Sequence, residues 1–280
     1  MDFISFARCH GVEISDLRIG DGITRCPTAD HPRSKNGAYM FDGRRGWVMD
    51  WSTGDAVQWW NDETAQPWTD AEKRAWAQRR QSARDQQRQR HVEAVKRAAA
   101  AIKSASRATH PYLEEKGHKE ALCLVGAEGE MLVPMRDCMN DELLGLQVIR
   151  LVNNEWEKKM LPGMRAKGAA YRIGQKNSPE TILVEGYATA LSVDAAVQMQ
   201  RLRMAVLVCF SAGNLAHVAG QIKSKAYVFA DNDQSGTGQR VAAATGLPWV
   251  MSDVIGEDAN DLHKRAGVMA VAKKILEVRR

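Results

Sequence analysis

Thr181-Ile182-Leu183-Val184-Glu185-Gly186 is the first of three short apolar runs that end in acidic residues. The second is Ala226-Tyr227-Val228-Phe229-Ala230, running into Asp231-Asn232-Asp233. The third, Trp249-Val250-Met251, is followed by Asp253 and then by Glu257-Asp258-Ala259-Asn260-Asp261. A fourth run, Ala205–Phe210, ends in the polar turn Ser211-Ala212-Gly213-Asn214. Helical patterns at Tyr187–Gln200, Leu215–Lys223, Thr237–Ala244 and Asp261–Ala266 separate the runs. Short strands alternating with helices predict a parallel sheet covered on both faces. The strands of such a sheet end on one edge, where ligands bind. Glu185, Asp231, Asp233, Asp258 and Asp261 are all placed for that edge.

Carboxylates gathered that closely repel, so some stay protonated unless a cation joins them. Oxygen ligands without His or Cys suit Mg²⁺ or Mn²⁺ rather than zinc. Mg²⁺ held by one or two carboxylates, with its other positions left to water and phosphate, is the usual arrangement for phosphoryl chemistry.

The succession of Glu185-Gly186, Asp231-Asn232-Asp233 and a third acidic motif resembles the Toprim domain of topoisomerases, bacterial-type primases and some nucleases. The stretches Glu185-Gly186-Tyr187-Ala188-Thr189-Ala190, Ser211-Ala212-Gly213-Asn214-Leu215, Ala230-Asp231-Asn232-Asp233 and Asp258-Ala259-Asn260-Asp261-Leu262 are similar to the Toprim primases of phages and conjugative plasmids. Replicative primases usually carry an aspartate four residues after the glutamate; Thr189 stands there instead. The resemblance implies an α/β fold, a Rossmann-like parallel sheet flanked by helices. It also implies Glu185, Asp231 and Asp233 as catalytic residues, with Asp258 and Asp261 joining them as metal ligands.

The 280 residues carry a net charge of +5, but the charge is uneven. Between Gln66 and Arg107 eleven Lys or Arg face four Asp or Glu, a surplus larger than that of the whole chain. No apolar run approaches the roughly 18 residues of a membrane span, and Met1–His10 lacks a signal-peptide layout. The five cysteines are scattered and never spaced as Cys-x-x-Cys, which argues against a disulfide framework and for the cytoplasm (a host cell's, if the gene is a phage's). No Gly-x4-Gly-Lys-Ser/Thr occurs, so no P-loop motor is expected.

Four segments are expected. Residues 1–65 read as a short helix and a small β-meander, with Val57-Gln58-Trp59-Trp60 opening a closing helix. This module resembles a degenerate primase zinc ribbon. Cys26 and His31 are its only two plausible ligands against the four a structural zinc needs, so no zinc is expected. Tyr39, Phe41, Trp47 and Trp51 beside Arg44 and Arg45 are candidates for stacking and holding single-stranded DNA. Residues 66–107, opening at Pro67-Trp68-Thr69-Asp70, are a basic helical linker with too few apolar residues for a fully packed face.

Residues 108–178 form a small basic α+β subdomain. It has strands at Met131–Asp137 and Leu144–Arg150, and four cations packed between Lys158 and Lys167. By resemblance to primases, Arg136, Lys158, Lys159, Arg165 and Lys167 are the candidates for nucleotide and template phosphates. Residues 179–280 are the Toprim domain, with Gly213, Gly236 and Gly238 as turn glycines and His217 and His263 as ordinary helix residues.

The resulting expectation is a primase that joins nucleoside triphosphates into RNA primers on single-stranded DNA, with a separate replicative helicase as a further partner and no membrane. A Toprim nuclease and a catalytically idle DNA-binding replication protein are the alternatives.

Overall fold

Burial alternates along the strands Arg45–Asp50 and Gln58–Asn61. The computed structural model describes residues 1–51, 56–62 and 69–280, and the chain divides into two compact units, Met1–Arg80 and Gln81–Arg280. The first opens with helix α1 (Phe3–Cys9), capped by Asp2, whose carboxylate accepts the Ser5 amide at 2.7 Å. Strands β1 (Gly20–Cys26), β2 (Gly37–Phe41), β3 (Arg45–Asp50) and β4 (Gln58–Asn61) follow as an antiparallel meander in sequence order. Phe3, Tyr39, Phe41 and Val48 fill the space between α1 and this sheet. The helix expected from Val57 is instead strand β4, with Trp59 opposite Trp47. Aromatic residues flanking a strand with an open edge favour pairing over helix. The linker start at residue 66, with Pro67-Trp68, lies outside the described residues.

Helix α2 spans Asp70–Ser104. Within the second unit it is less exposed than its composition predicts. Ala94 and Ala98 are fully buried, and Ala98, Ala101 and Ile102 pack on Leu132 and Leu146. Small side chains let a polar helix approach a sheet closely, which a count of large apolar residues misses.

Next come β5 (Ser106–Ala108), α3 (Pro111–Glu115), β6 (Cys123–Val125), β7 (Met131–Asp137), β8 (Leu143–Val152), β9 (Glu155–Met160) and β10 (Ala169–Ile173). The acidic half continues with β11 (Glu180–Val184), α4 (Tyr187–Met199), β12 (Met204–Val208), α5 (Ala212–Ala219), β13 (Lys225–Phe229), α6 (Thr237–Ala244), β14 (Trp249–Val250), α7 (Ala259–Ala266) and α8 (Val268–Arg279). One sheet runs β14-β13-β11-β12-β10-β7-β6-β5, with β8 on β7 and β9 on β8. Strands β11 to β14 are mutually parallel, and β10 joins them antiparallel through Tyr171–Ile173. Through Ala169 and Ala170, β10 also pairs with β7. The sheet therefore passes the expected boundary at 178/179 unbroken, fastening the antiparallel half to the parallel half.

Strand β12 is buried at every position, as a parallel strand covered on both faces should be. One core lies under α4, α7 and α8, and another under α5 and α6. No helix among the described residues is long and apolar enough to cross a membrane.

Candidate metal and nucleotide site

Because β11, β12 and β13 run parallel, Glu185, Phe210 and Asp231 emerge on one edge. The backbone then fixes their spacing. Phe210 N–H donates to the Glu185 carbonyl at 2.8 Å, and Phe210 takes a left-handed φ of 67° to do so. The loop after β13 is tied to the loop after β14: Asn232 N–H donates to Glu257 O at 3.0 Å, and the Asn232 amide to Ser252 O at 2.9 Å. That tie brings Asp258 up beside Asp231. Gly238, in the first turn of α6, lies beneath Asp231, where a Cβ would sit 2.1 Å from the Asp231 carbonyl oxygen. It is a close-approach glycine inside a helix rather than a turn glycine.

A cleft of about 140 Å³ results. Its acidic side is Glu185, Asp231 and Asp258, with the first turn of α4 (Tyr187–Thr189) as its floor. Tyr112, Lys116, Gln147, Ile149 and Lys158 form the opposite wall, all from the antiparallel half. Gly186 caps α4 without a side-chain hydrogen bond, leaving the positive end of the helix dipole open toward the cleft.

Electrostatics mark this edge. Burial, then Asp258, Glu185 and Asp233, push the Asp231 carboxyl up to about 7, and Lys158 partly offsets them. Asp231 Oδ1 is buried with no hydrogen-bond partner among the described residues. Burial and Asp233 also raise Glu185, again opposed by Lys158. Asp233 is the opposite case: hydrogen bonds, led by that from Ser235, hold its carboxyl down at about 2. It accepts from the Gly238 and Thr237 amides at 2.7 and 3.1 Å, anchoring the start of α6. Asp258 Oδ1 accepts from the amides of Asn260 and Asp261, and its Oδ2 accepts the Thr189 hydroxyl at 2.8 Å. Asp261 completes the capping box of α7 and does not line the cleft.

Among the described residues no three acidic, His or Cys side chains converge tightly enough to form a ready metal cage. The orphaned Asp231 oxygen, an all-carboxylate donor set and a carboxyl held near 7 nevertheless fit a hard divalent cation bound by one or two carboxylates and completed by solvent or phosphate. Glu185, Asp231 and Asp258 line the cleft where it would sit; Asp233 adds its charge to Glu185 and Asp231 and anchors α6, and Asp261 sits in the cap of α7.

Of the five cations expected to meet phosphate, Lys158 alone lines the cleft. Its ammonium lies 5.4 Å from the Tyr112 ring centre and makes no ion pair with a described residue. Lys159, one residue on and so on the other face of β9, pairs with Glu157 at 2.8 Å. Arg165 pairs with Asp137, Arg136 donates to Asp141 O, and Lys167 is exposed beyond the cleft.

The DNA-stacking expectation needs correction at two residues. Tyr39 is 1% exposed, its hydroxyl donating to Asp16 O and accepting from Arg18 N–H, and Phe41 is stacked on Phe3 at 4.5 Å. Both are core residues of a module too small to spare aromatics from its interior. Trp47 is half-buried against β4, whereas Trp51 is exposed with Arg25 over its ring at 5.4 Å. Arg44 is exposed and Arg45 half-buried. Cys26 is buried in the same core, which pushes its thiol up to about 11.

Tyr112, Lys116, Gln147 and Phe210 are site residues that the sequence reading missed. Nothing in the apolar run around Gln147 or in the short helix before Lys116 signals a cleft. Their signal is the pairing of β7 with β10, which is a tertiary fact.

A search against family models matches the Toprim domain to residues 180–268. No curated protein matches the chain. The chain thus carries a Toprim domain, a domain typical of metal-dependent enzymes that act on nucleic acids. The matched residues include every acidic member of the cleft.

Proposed function

We propose that the protein is a DNA primase that joins nucleoside triphosphates into short RNA primers on a single-stranded DNA template. The observation that carries this reading is one cleft in which Lys158 and Lys116, from the antiparallel half, face Glu185, Asp231 and Asp258 across the open end of α4. Cations opposite a carboxylate cluster suit a triphosphate, whose charge needs partners on both sides.

Asp231 and Asp258 would hold Mg²⁺ or Mn²⁺, with Glu185 beside them. The bound ion supplies charge stabilisation for the incoming triphosphate and the departing pyrophosphate. Lys158 and Lys116 bind the outer phosphates and orient the α-phosphorus toward the primer end. Glu185, its carboxyl raised by burial, is suited to take the proton of the attacking 3′-hydroxyl on a carboxylate oxygen. Thr189 keeps Asp258 oriented from behind. Arg136, Lys159, Arg165 and Lys167 lie outside the cleft and serve the template backbone, not the reacting nucleotide. Residues 1–65 serve as a template-contacting module for which no zinc is expected, and the surplus cations along α2 add sequence-independent contact to phosphates. A separate replicative helicase and a cytoplasmic setting go with this reading.

The test supplies labelled nucleoside triphosphates and single-stranded DNA, with Mg²⁺ and with Mn²⁺, to the wild-type chain and to Asp231→Ala. Polymer growth that disappears in the variant supports the primase. Shortening of the DNA assigns the cleft to a nuclease instead. DNA affinity equal in both proteins with neither reaction assigns a non-catalytic replication protein.

A further inference from the structure

Gln147 lines the cleft and has no role in the reading above. It sits in the middle of β8 and is 8% exposed, yet its side-chain amide makes no hydrogen bond with any described residue. Its amide atoms are not among the buried polar atoms left without a partner, so the amide is the part of the side chain that meets solvent. Its remaining exposure opens into the cleft it lines, so the missing partner belongs there.

The sheet register places it relative to the phosphate-binding wall. Gln147 pairs with Met160, and Ile149 with Lys158, across β8 and β9. Gln147, Ile149 and Lys158 therefore share one face, with Gln147 diagonal to Lys158, roughly 7 Å away. A group held by Gln147 is a sugar's distance from a phosphate held by Lys158.

The amide itself narrows the choice. It offers one acceptor oxygen and two donor hydrogens. A phosphate oxygen only accepts, and would leave the Gln147 oxygen unpaired and facing negative charge. In a templated reaction the pairing edge of the base is occupied by the template. A ribose hydroxyl, donor and acceptor together, satisfies both ends of the amide.

We infer that Gln147 is the specificity residue that hydrogen-bonds a ribose hydroxyl of the bound nucleoside triphosphate and so distinguishes ribonucleotides from deoxynucleotides. This rests on the primase reading.

The test measures affinity of the full chain for ATP, 2′-deoxy-ATP and 3′-deoxy-ATP, with Mg²⁺ and an oligo(dT) template. Gln147→Leu, close in volume and suited to its apolar neighbours, and Gln147→Ala are compared with the wild type, each checked for an unchanged melting temperature. The wild type should prefer ATP about tenfold over one deoxy form, the two arms showing which hydroxyl is held, and Gln147→Leu should reduce that preference to within about twofold. Equal weakening of all three ligands, or an unchanged preference, would overturn the assignment and leave the primase reading standing. Failure of the wild type to bind any of the three would overturn both.

Discussion

The Thr189 hydroxyl donates to Asp258 Oδ2 at 2.8 Å, joining the first turn of α4 to the cap of α7 across the back of the acidic cleft. Thr189 is 1% exposed and Asp258 half-buried, so this contact is worth more than a fully exposed one. A neutral donor at this position steadies Asp258, where another carboxylate would repel it. Thr189→Val should cost about 1–2 kcal/mol in chemical denaturation. Thr189→Asp should cost more, and added Mg²⁺ should restore part of the loss. A Thr189→Asp chain as stable as wild type in EDTA would contradict this account.

Asp231 gives the pH dependence. Its folded carboxyl titrates near 7 against an unperturbed 3.8, so the native state binds more protons than the unfolded state between those values. Without divalent ions, stability should therefore fall as pH rises from about 4 to about 7, by roughly 2–4 kcal/mol. Asp231→Asn should flatten that slope and be the more stable protein at pH 8. Mg²⁺ should raise the wild-type melting temperature more at pH 8 than at pH 5, because protons compete for the same oxygen. Thermal melts across this range, with Mg²⁺ and with EDTA, check both statements.

Lys158 partly offsets the upward shifts of Glu185 and Asp231. Lys158→Met should weaken triphosphate binding about tenfold or more, and move the acidic limb of the pH–activity profile upward. Lys159→Met, on the opposite face of β9, should leave that limb in place. Parallel behaviour of the two variants would remove Lys158 from the cleft's electrostatics.

Asp233 separates an anchoring role from one in the proposed reaction. It accepts the Gly238 and Thr237 amides, so Asp233→Ala should lose about 1–2 kcal/mol as a helix anchor. Asp233→Asn keeps an acceptor oxygen and should recover most of that stability. If primer synthesis stays low in Asp233→Asn although the fold is restored, the negative charge itself serves the reaction.

Asn214 offers a test remote from the carboxylates. Its amide accepts from Gly168 N–H at 2.8 Å and donates to the carbonyls of Ala169 and Cys209, each at 2.7 Å. It thereby fastens the basic loop before β10 to the end of β12. Asn214→Ala leaves buried backbone groups unpaired and should destabilise the chain by about 2–3 kcal/mol in a urea titration.

Much of this could be read from the linear chain. Apolar runs of four or five residues between helical segments dictate parallel strands, and the acids after them, Glu185 and Asp231, had to share the sheet's carboxyl edge. The antiparallel meander and the hairpin of β7 and β8 followed from short aromatic or apolar runs and the turn residues between them. Strand β4 was misread because four residues are too few to separate strand from helix by periodicity.

Tertiary structure alone decided which side chains share a cavity. Strand alternation says that Tyr39 and Arg136 lie on some face, but not which face another layer covers. Tyr39 went to the core, Arg136 away from the cleft, and Lys158 into it. Gln147 and Lys116 became site residues only because β10 pairs on one side with β12 and on the other with β7, bringing segments far apart in sequence within reach. Local pattern sets the elements. Long-range pairing sets the electrostatic field, because Coulomb forces and desolvation depend on distances in space that spacing along the chain does not encode.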